Sequence, residues 1–435
     1  MSSVPAPDAD PSVPTPTEPA AARAADPQVI EYLRLGLAFD RLERGFVDAY
    51  TGDPSLRAEV ESAPAPEPAR LAERARTLLA ELPGTLDAAR AEFIGSHLRA
   101  LECSARKFAG DDIGFVDEVR AYFDVDITAA DPERYRQAHT ELADALDIPD
   151  TTADALRDAY AAHRRSDEIP PERVDDCVRA FSGALRERVR NAYPLPDNEI
   201  VEFEVVTDKP WSGFNYYLGN YRSRVAINAD LTQYMSSLPS LIAHEAYPGH
   251  HTEHCRKEQL LVGAGHDEQS IFLVNTPQCL MAEGLADHAL DAIVGKDWGS
   301  WAQEIYADLG LRFDADRAMR IGRATGGLLT VRQDAALMLH DRHADNDTVA
   351  AFLQQWLLAP RERATQMLRF LTSPLWRAYI STYVEGYQLL DRWLDTAADR
   401  AAAFGRLLDE PLIPESLRRE LGDQSARSLR SRRRS

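Results

Sequence analysis

The chain has 435 residues, with 70 acidic against 49 basic side chains and a formal net charge of −21. That balance argues against a nucleic-acid partner, which needs a basic face, and against binding to an anionic membrane surface. The length admits two or three domains or one large helical body.

Only Lys107, Lys209, Lys257 and Lys296 are lysines; the arginine, alanine and aspartate richness suits a high-GC genome or a salt-loving host alike. Cys103, Cys177, Cys255 and Cys279 show no paired spacing, so a reducing compartment is expected rather than a disulfide scaffold. Cys255 and Cys279 read as buried neutral thiols. Nothing resembles a signal peptide or a membrane span, and the expected compartment is the cytoplasm.

In chain order, residues 1–27 are rich in Pro, Ala, Asp and Ser and are expected to be disordered. Residues 28–195 have a helical pattern. It is broken at Asp53-Pro54, Pro64 to Pro68, Pro83-Gly84, Asp131-Pro132, Pro149 and Pro170-Pro171. An acid followed by proline is a helix start. These helices are expected to form one wall of a cleft; a separate helical bundle is the alternative. No fixed-period repeat is present, which excludes a solenoid.

Residues 196–423 read as the catalytic region. Glu199 to Asp208 alternates apolar and charged residues, and Tyr221 to Asn228 does so again, with Trp211-Ser212-Gly213-Phe214-Asn215 between. That predicts two strands and a connecting loop, and so a mainly α fold with a small β-sheet next to the helix that follows. This helix can be capped by Ser236 and Ser237, has Pro239 in its first turn, and carries the stripe Leu238, Leu241 and Ile242.

It leads into Ala243-His244-Glu245-Ala246-Tyr247-Pro248-Gly249-His250-His251. Imidazoles beside a carboxylate are what a catalytic zinc site needs. The usual H-E-x-x-H places its second histidine one turn on; here that position is Pro248. On an unbroken helix His251 would face the way His244 does, but roughly 10 Å along the axis. One ion cannot bridge that gap. Pro248 cannot bond the His244 carbonyl, and Gly249 adopts angles other residues avoid. The spacing therefore predicts a break that returns a histidine to His244. The alternative is a helix that ends at Tyr247, with solvated histidines beyond.

Further on, Glu283 lies among apolar residues in Leu280 to Ala289, an expensive place for a carboxylate unless it is paired or bound to metal. Asp287 shares its face and could orient a ligand histidine from behind. A solvated acidic face is the alternative. His288 reads as a packing or surface group, and His254 and His266 as weak ligand candidates. Residues 424–435 end in Arg432-Arg433-Arg434 before Ser435 and read as a disordered basic tail.

His-Glu-Ala-Tyr-Pro-Gly-His-His, followed by Ala-Glu-Gly-Leu-Ala, resembles the DUF885 family, placed among the gluzincin metallopeptidases near the thimet-oligopeptidase and thermostable-carboxypeptidase groups. The resemblance runs from about Val201 to about Leu390. It implies a helical cleft with a thermolysin-like core and one zinc held by two histidines and a glutamate. On this chain His244 and Glu283 match ligands and Glu245 matches the catalytic glutamate. Spacing alone leaves His250 and His251 both open; the resemblance favours His250, with His251 as the alternative. It also implies that a strand edge before the motif helix bonds the substrate backbone, a general recognition mode. Arg332 to His340 and Asn346 to Ala350 resemble a further family segment, although Ala336 stands where the family has an aspartate. Pro374-Leu375-Trp376-Arg377-Ala378-Tyr379 only echoes a later block.

Tyr379, Tyr383 and Tyr387 share one helix face. A tyrosine hydroxyl can donate to a tetrahedral oxyanion, and Tyr383, then Tyr379, are the candidates nearest the family-like segment; an aromatic core stripe is the alternative. Arg377 could bind a substrate carboxylate, with a surface salt bridge as the alternative, and His340 could act as a second electrophile or simply pack. The expectation is a zinc-dependent peptidase-like hydrolase of oligopeptides or C-terminal residues, in which Glu245 takes the proton of an attacking water. A zinc hydrolase of a non-peptide amide, such as an N-acyl amino acid, and an inactive helical binding protein are the rivals. Manganese, iron or cobalt would suit the same mixed ligands.

Overall fold

The computed structural model describes residues 26–82, 86–149, 152–207, 213–228 and 231–422. The expected disordered N-terminal segment, apart from its last two residues, and the basic C-terminal tail lie outside them. The fold is mainly α-helical with two small sheets. Among the described residues no helix is long and apolar enough to cross a membrane.

Acid–proline pairs start helices as expected. Asp26, Asp53 and Asp131 cap Pro27–Asp40, Pro54–Ser62 and Pro132–Ala145, each accepting from a backbone N–H of the first turn. The family-like segment from Asn346 opens the helix Asn346–Leu357, capped by Asp345. The core has two main bodies. The first helices bury Tyr32, Phe39, Phe46 and Leu71 together with Ile271 and Leu273. The helices Phe115–Phe123 and Val174–Ala192, with Tyr135 and Ala138, instead share one apolar cluster with the site helices, including Phe181, Tyr247 and Leu285, while Leu142 and Leu156 belong to a smaller third cluster.

Strand β1 (Val47–Tyr50) pairs antiparallel with a strand far along the chain, Ile271–Leu273, which joins the first core to the site. The second sheet holds β2 (Ile200–Val206), β3 (Gly213–Gly219) and β4 (Arg222–Asn228) in the order β2-β4-β3; the strand Ile271–Leu273 is β5. The expectation of two strands and a loop is corrected here. Described residues of the expected loop form β3, whose hairpin with β4 turns at Asn220 and Tyr221, both at positive φ. β2 runs parallel to β4. The glycines that flank β3 hid its alternation of Phe214 and Tyr216.

β3 lies against the motif helix, Leu238–Glu245. A β-carbon on Gly213 would stand 2.9 Å from the Leu241 side chain and 3.4 Å from the Glu245 carboxylate, so the strand runs close beside the helix here. The Asn215 amide donates to the Glu245 carbonyl at 2.6 Å and ties the strand to the end of the helix.

Candidate metal centre

The motif helix ends at Glu245, and a second helix, His250–Leu260, begins five residues later. Between them the chain folds back on itself. The Gly249 amide donates to the Ala243 carbonyl at 2.8 Å, six residues back rather than the helical four. A β-carbon on Gly249 would meet the Ala243 carbonyl oxygen at 2.5 Å. Thr252 secures the return, its hydroxyl donating to the Ala246 carbonyl at 2.9 Å. The expected break is therefore present, and it sets the His244 and His250 rings 4.7 Å apart, edge to face.

Glu283 comes from the helix Pro277–Ile293 and is only 5% exposed. One ligand atom from each of His244, His250 and Glu283 lies within 4.8 Å of the others. Glu283 Oε1 accepts from the Tyr379 hydroxyl at 2.6 Å. Its other oxygen, Oε2, is 3.2 Å from His244 Nε2 and 3.9 Å from His250 Nε2, yet it has no hydrogen-bond partner although buried. On the far side of the ring, His244 Nδ1 lies 3.1 Å from Asp287 Oδ1, one helical turn beyond Glu283.

These contacts fit a cation. With Nδ1–H donated to Asp287, His244 Nε2 carries a lone pair aimed at a carboxylate oxygen. Two buried lone pairs face each other tolerably only with a proton or a metal ion between them. Without a metal the proton is held there: burial pushes the His244 imidazole down, but Asp287 and Glu283 outweigh it and hold it well above its ordinary value. A metal would displace that proton. Two imidazoles and one carboxylate are a known catalytic zinc set, and Asp287 is the carboxylate behind the ring that such histidines commonly use.

Glu245 is 7% exposed, and its carboxylate makes no hydrogen bond to a described residue. Burial holds its carboxyl above the ordinary value, opposed by His244 and His250 and reinforced by Glu283 and Asp287. Tyr383 stands on a π-helical turn, Thr382–Gly386, a local widening common at functional sites. Burial, Glu283, Asp287 and Glu245 all favour its neutral, donating form. Two glycines bring it there: a β-carbon on Gly386 would stand 2.5 Å from the Leu280 carbonyl, and one on Gly284 would stand 2.7 Å from the Gly386 carbonyl.

His251, the alternative ligand, is kept away. It is fully buried, with Nδ1 2.8 Å from the Ser223 hydroxyl and Nε2 3.3 Å from Glu199. Glu199 also accepts from the Tyr247 hydroxyl, Arg186 and Arg190. Burial opposes its charge, but bonds from His251, Arg186, Tyr247 and Arg190 outweigh it and hold the carboxyl well below its ordinary value. Glu199 thus grips Tyr247 and His251, the residues on either side of Pro248-Gly249-His250.

Arg377 and His340, the candidate substrate contacts, both engage other residues of the fold. Arg377 is held by Glu118, donating from Nε at 2.8 Å, because that fully buried carboxylate needs compensation, which Lys107 also supplies. His340 packs on Phe115 and bonds the Leu371 carbonyl at 2.7 Å. Tyr387 stacks on His288, which bonds the Tyr387 carbonyl at 3.1 Å. His254 stacks on Tyr217, and His266 lies 3.6 Å from Glu268; neither joins the centre. All four cysteines are buried and free.

Sequence reasoning passed over Glu199 and Asp48. Asp48, on β1, is exposed, and desolvation by its neighbours together with the charges of Glu283 and Glu245 raises its carboxyl to about 7. Glu199 entered only as the start of an alternating strand and Asp48 not at all, because their partners are brought to them only by tertiary structure.

No family model matches the chain, and no curated protein matches it. Among solved structures it is similar to a candidate lipoprotein from Colwellia psychrerythraea, at 13% identity and a TM-score of 0.50, over 84% of this chain and 68% of that one. A candidate lipoprotein of unknown function from Shewanella oneidensis aligns at 14% identity and a TM-score of 0.49, over 88% and 69%. The first likeness shows a shared fold.

Proposed function

We propose that this chain is a zinc-dependent hydrolase of peptides or peptide-like amides, with a gluzincin-type core of the DUF885 kind. The observation that carries the reading is the meeting of His244 Nε2, His250 and the orphaned Glu283 Oε2 beside an unengaged buried carboxylate, Glu245. His244, His250 and Glu283 would hold the ion, which when bound supplies a Lewis acid for the scissile carbonyl and acidifies water.

The remaining chemistry belongs to side chains. Glu245, its carboxyl raised by burial, accepts the proton of the attacking water and passes it to the leaving amine. Tyr383, kept neutral, donates to the oxyanion. Tyr379 occupies Glu283 Oε1 and so leaves Oε2 for the ion. Asp287 fixes the His244 tautomer. β3 is an edge strand of its sheet, with Gly213 beside Glu245, so an extended peptide bonded along it would pass the general base.

A panel of fluorogenic peptides tests the reading. The zinc-loaded protein should cleave at least one, cleavage should stop with a chelator and return with zinc, and Glu245→Gln should lower kcat by about 100-fold or more. Cleavage unaffected by either change would overturn it.

A further inference from the structure

Behind the metal centre lies a small cavity of about 20 Å³. Glu253, Lys257, Gln269 and Gln278 line it, with the stacked rings of Tyr217 and His254 along one side. Glu253 and Lys257 stand on the helix His250–Leu260, whose first residue is a candidate ligand. Gln278 stands in the first turn of Pro277–Ile293, the helix that carries Glu283. Gln269 lies on the short helical turn Asp267–Ser270 that leads into β5. The two ligand-bearing helices therefore face each other across this cavity.

Its lining holds buried polar atoms with no hydrogen-bond partner among the described residues: Glu253 Oε2, Gln278 Oε1, and both the oxygen and the nitrogen of the Gln269 amide. Glu253 is only 2% exposed and Gln278 only 5%. Lys257 Nζ donates to Glu253 Oε1 at 2.6 Å, which uses one of its three donors. Buried polar atoms without partners are costly, and protein interiors rarely keep them so. The lining decides what can satisfy them. A cation would meet the Lys257 ammonium, and an anion the Glu253 carboxylate. A neutral guest that both accepts and donates suits a lining that offers acceptors and donors together. Roughly 10–15 Å³ of such space is enough for one water.

We propose that this cavity is a binding site for an ordered water, which bridges Gln278 Oε1 to Glu253 Oε2 and so ties the helix of Glu283 to the helix of His250. Gln269 completes its bonds, since a buried water typically makes about three. The bridge stands close to both ligands along the chain: Glu253 comes three residues after His250, and Gln278 five residues before Glu283. Fixing the spacing of the two helices fixes the spacing of the two ligands. This consequence for the metal rests on the three-residue centre; the water itself does not.

A high-resolution crystal structure of the metal-free wild type tests the water. The expected result is density for one oxygen within about 2.7–3.2 Å of both Gln278 Oε1 and Glu253 Oε2. A cavity without density, or density that anomalous scattering identifies as an ion, overturns the proposal. Gln278→Met keeps the length of the side chain and removes the acceptor. It should lose the bridging water and bind zinc about tenfold more weakly than wild type in competition with a chromophoric chelator. A folded variant that lacks the water and keeps wild-type zinc affinity overturns the link to the metal centre. If wild type binds no zinc, the three-residue centre falls, and the density in wild type still decides the water site.

Discussion

Gly249 lies so close to His244 that a β-carbon on it would stand 1.9 Å from the His244 carbonyl oxygen. Backbone, not a movable side chain, fills that space, so any larger residue must push the return of the chain outward and carry His250 with it. Gly249→Ala should therefore reduce zinc affinity at least tenfold and lower the thermal midpoint, since overpacking costs about 1–3 kcal/mol or more. Gly322→Ala, where a β-carbon meets nothing within 4 Å on the helix Ala315–Gly326, is the control and should gain about 0.5–1 kcal/mol. A folded Gly249→Ala with wild-type zinc affinity would show that the close approach is not what brings His250 to the centre.

Asp287 holds the ring of His244 from behind. Removing such a partner usually costs about 10–100-fold in metal affinity. Asp287→Ala should weaken zinc binding by that amount in competition with a chromophoric chelator, with the fold intact by circular dichroism. Unchanged affinity would mean that the tautomer of His244 is set elsewhere.

Glu199 is 2% exposed and bonds Tyr247, His251, Arg186 and Arg190. Replacing one partner of a buried ion pair costs about 3–5 kcal/mol. Both arginines reach water, so Glu199→Gln should cost about 3 kcal/mol, the lower end of that range, in urea denaturation. A loss under about 1 kcal/mol would place Glu199 among the weak surface pairs.

Asp48 contributes one part of the pH dependence of the metal-free protein. Its folded pKa of about 7 lies above the unfolded value of about 3.9. The unfolded chain therefore releases this proton first, and the contribution of Asp48 to stability is complete below about pH 4 and lost as the pH rises towards 7. Asp48→Asn in chelator should raise the thermal midpoint at about pH 8 and leave it unchanged at about pH 4. An equal shift at both would refute a raised carboxyl.

The features legible in sequence were those whose physics is local. Pro248 and Gly249 announced a broken helix because each restricts or frees its own backbone. Glu283 and Asp287 stood out because a four-residue spacing puts two carboxylates on one face. What distance in sequence hid was partnership: a salt bridge was the plain alternative for Arg377, but its acid, Glu118, is 259 residues away. For His340 it was packing, and the partners that supply it, Phe115 and the Leu371 carbonyl, are also remote in the chain. Between His250 and His251 spacing could not decide, since the choice depends on Glu199 and Ser223, which hold His251 from the opposite side.

Elemental analysis of the purified protein tests the centre most directly. Wild type and Glu245→Gln should each hold about one zinc per chain, while His250→Ala and Glu283→Ala, folded by circular dichroism, should hold almost none. Wild type that takes up no metal when zinc is added, or a His250→Ala protein that retains it fully, would contradict the three-residue centre on which the account depends.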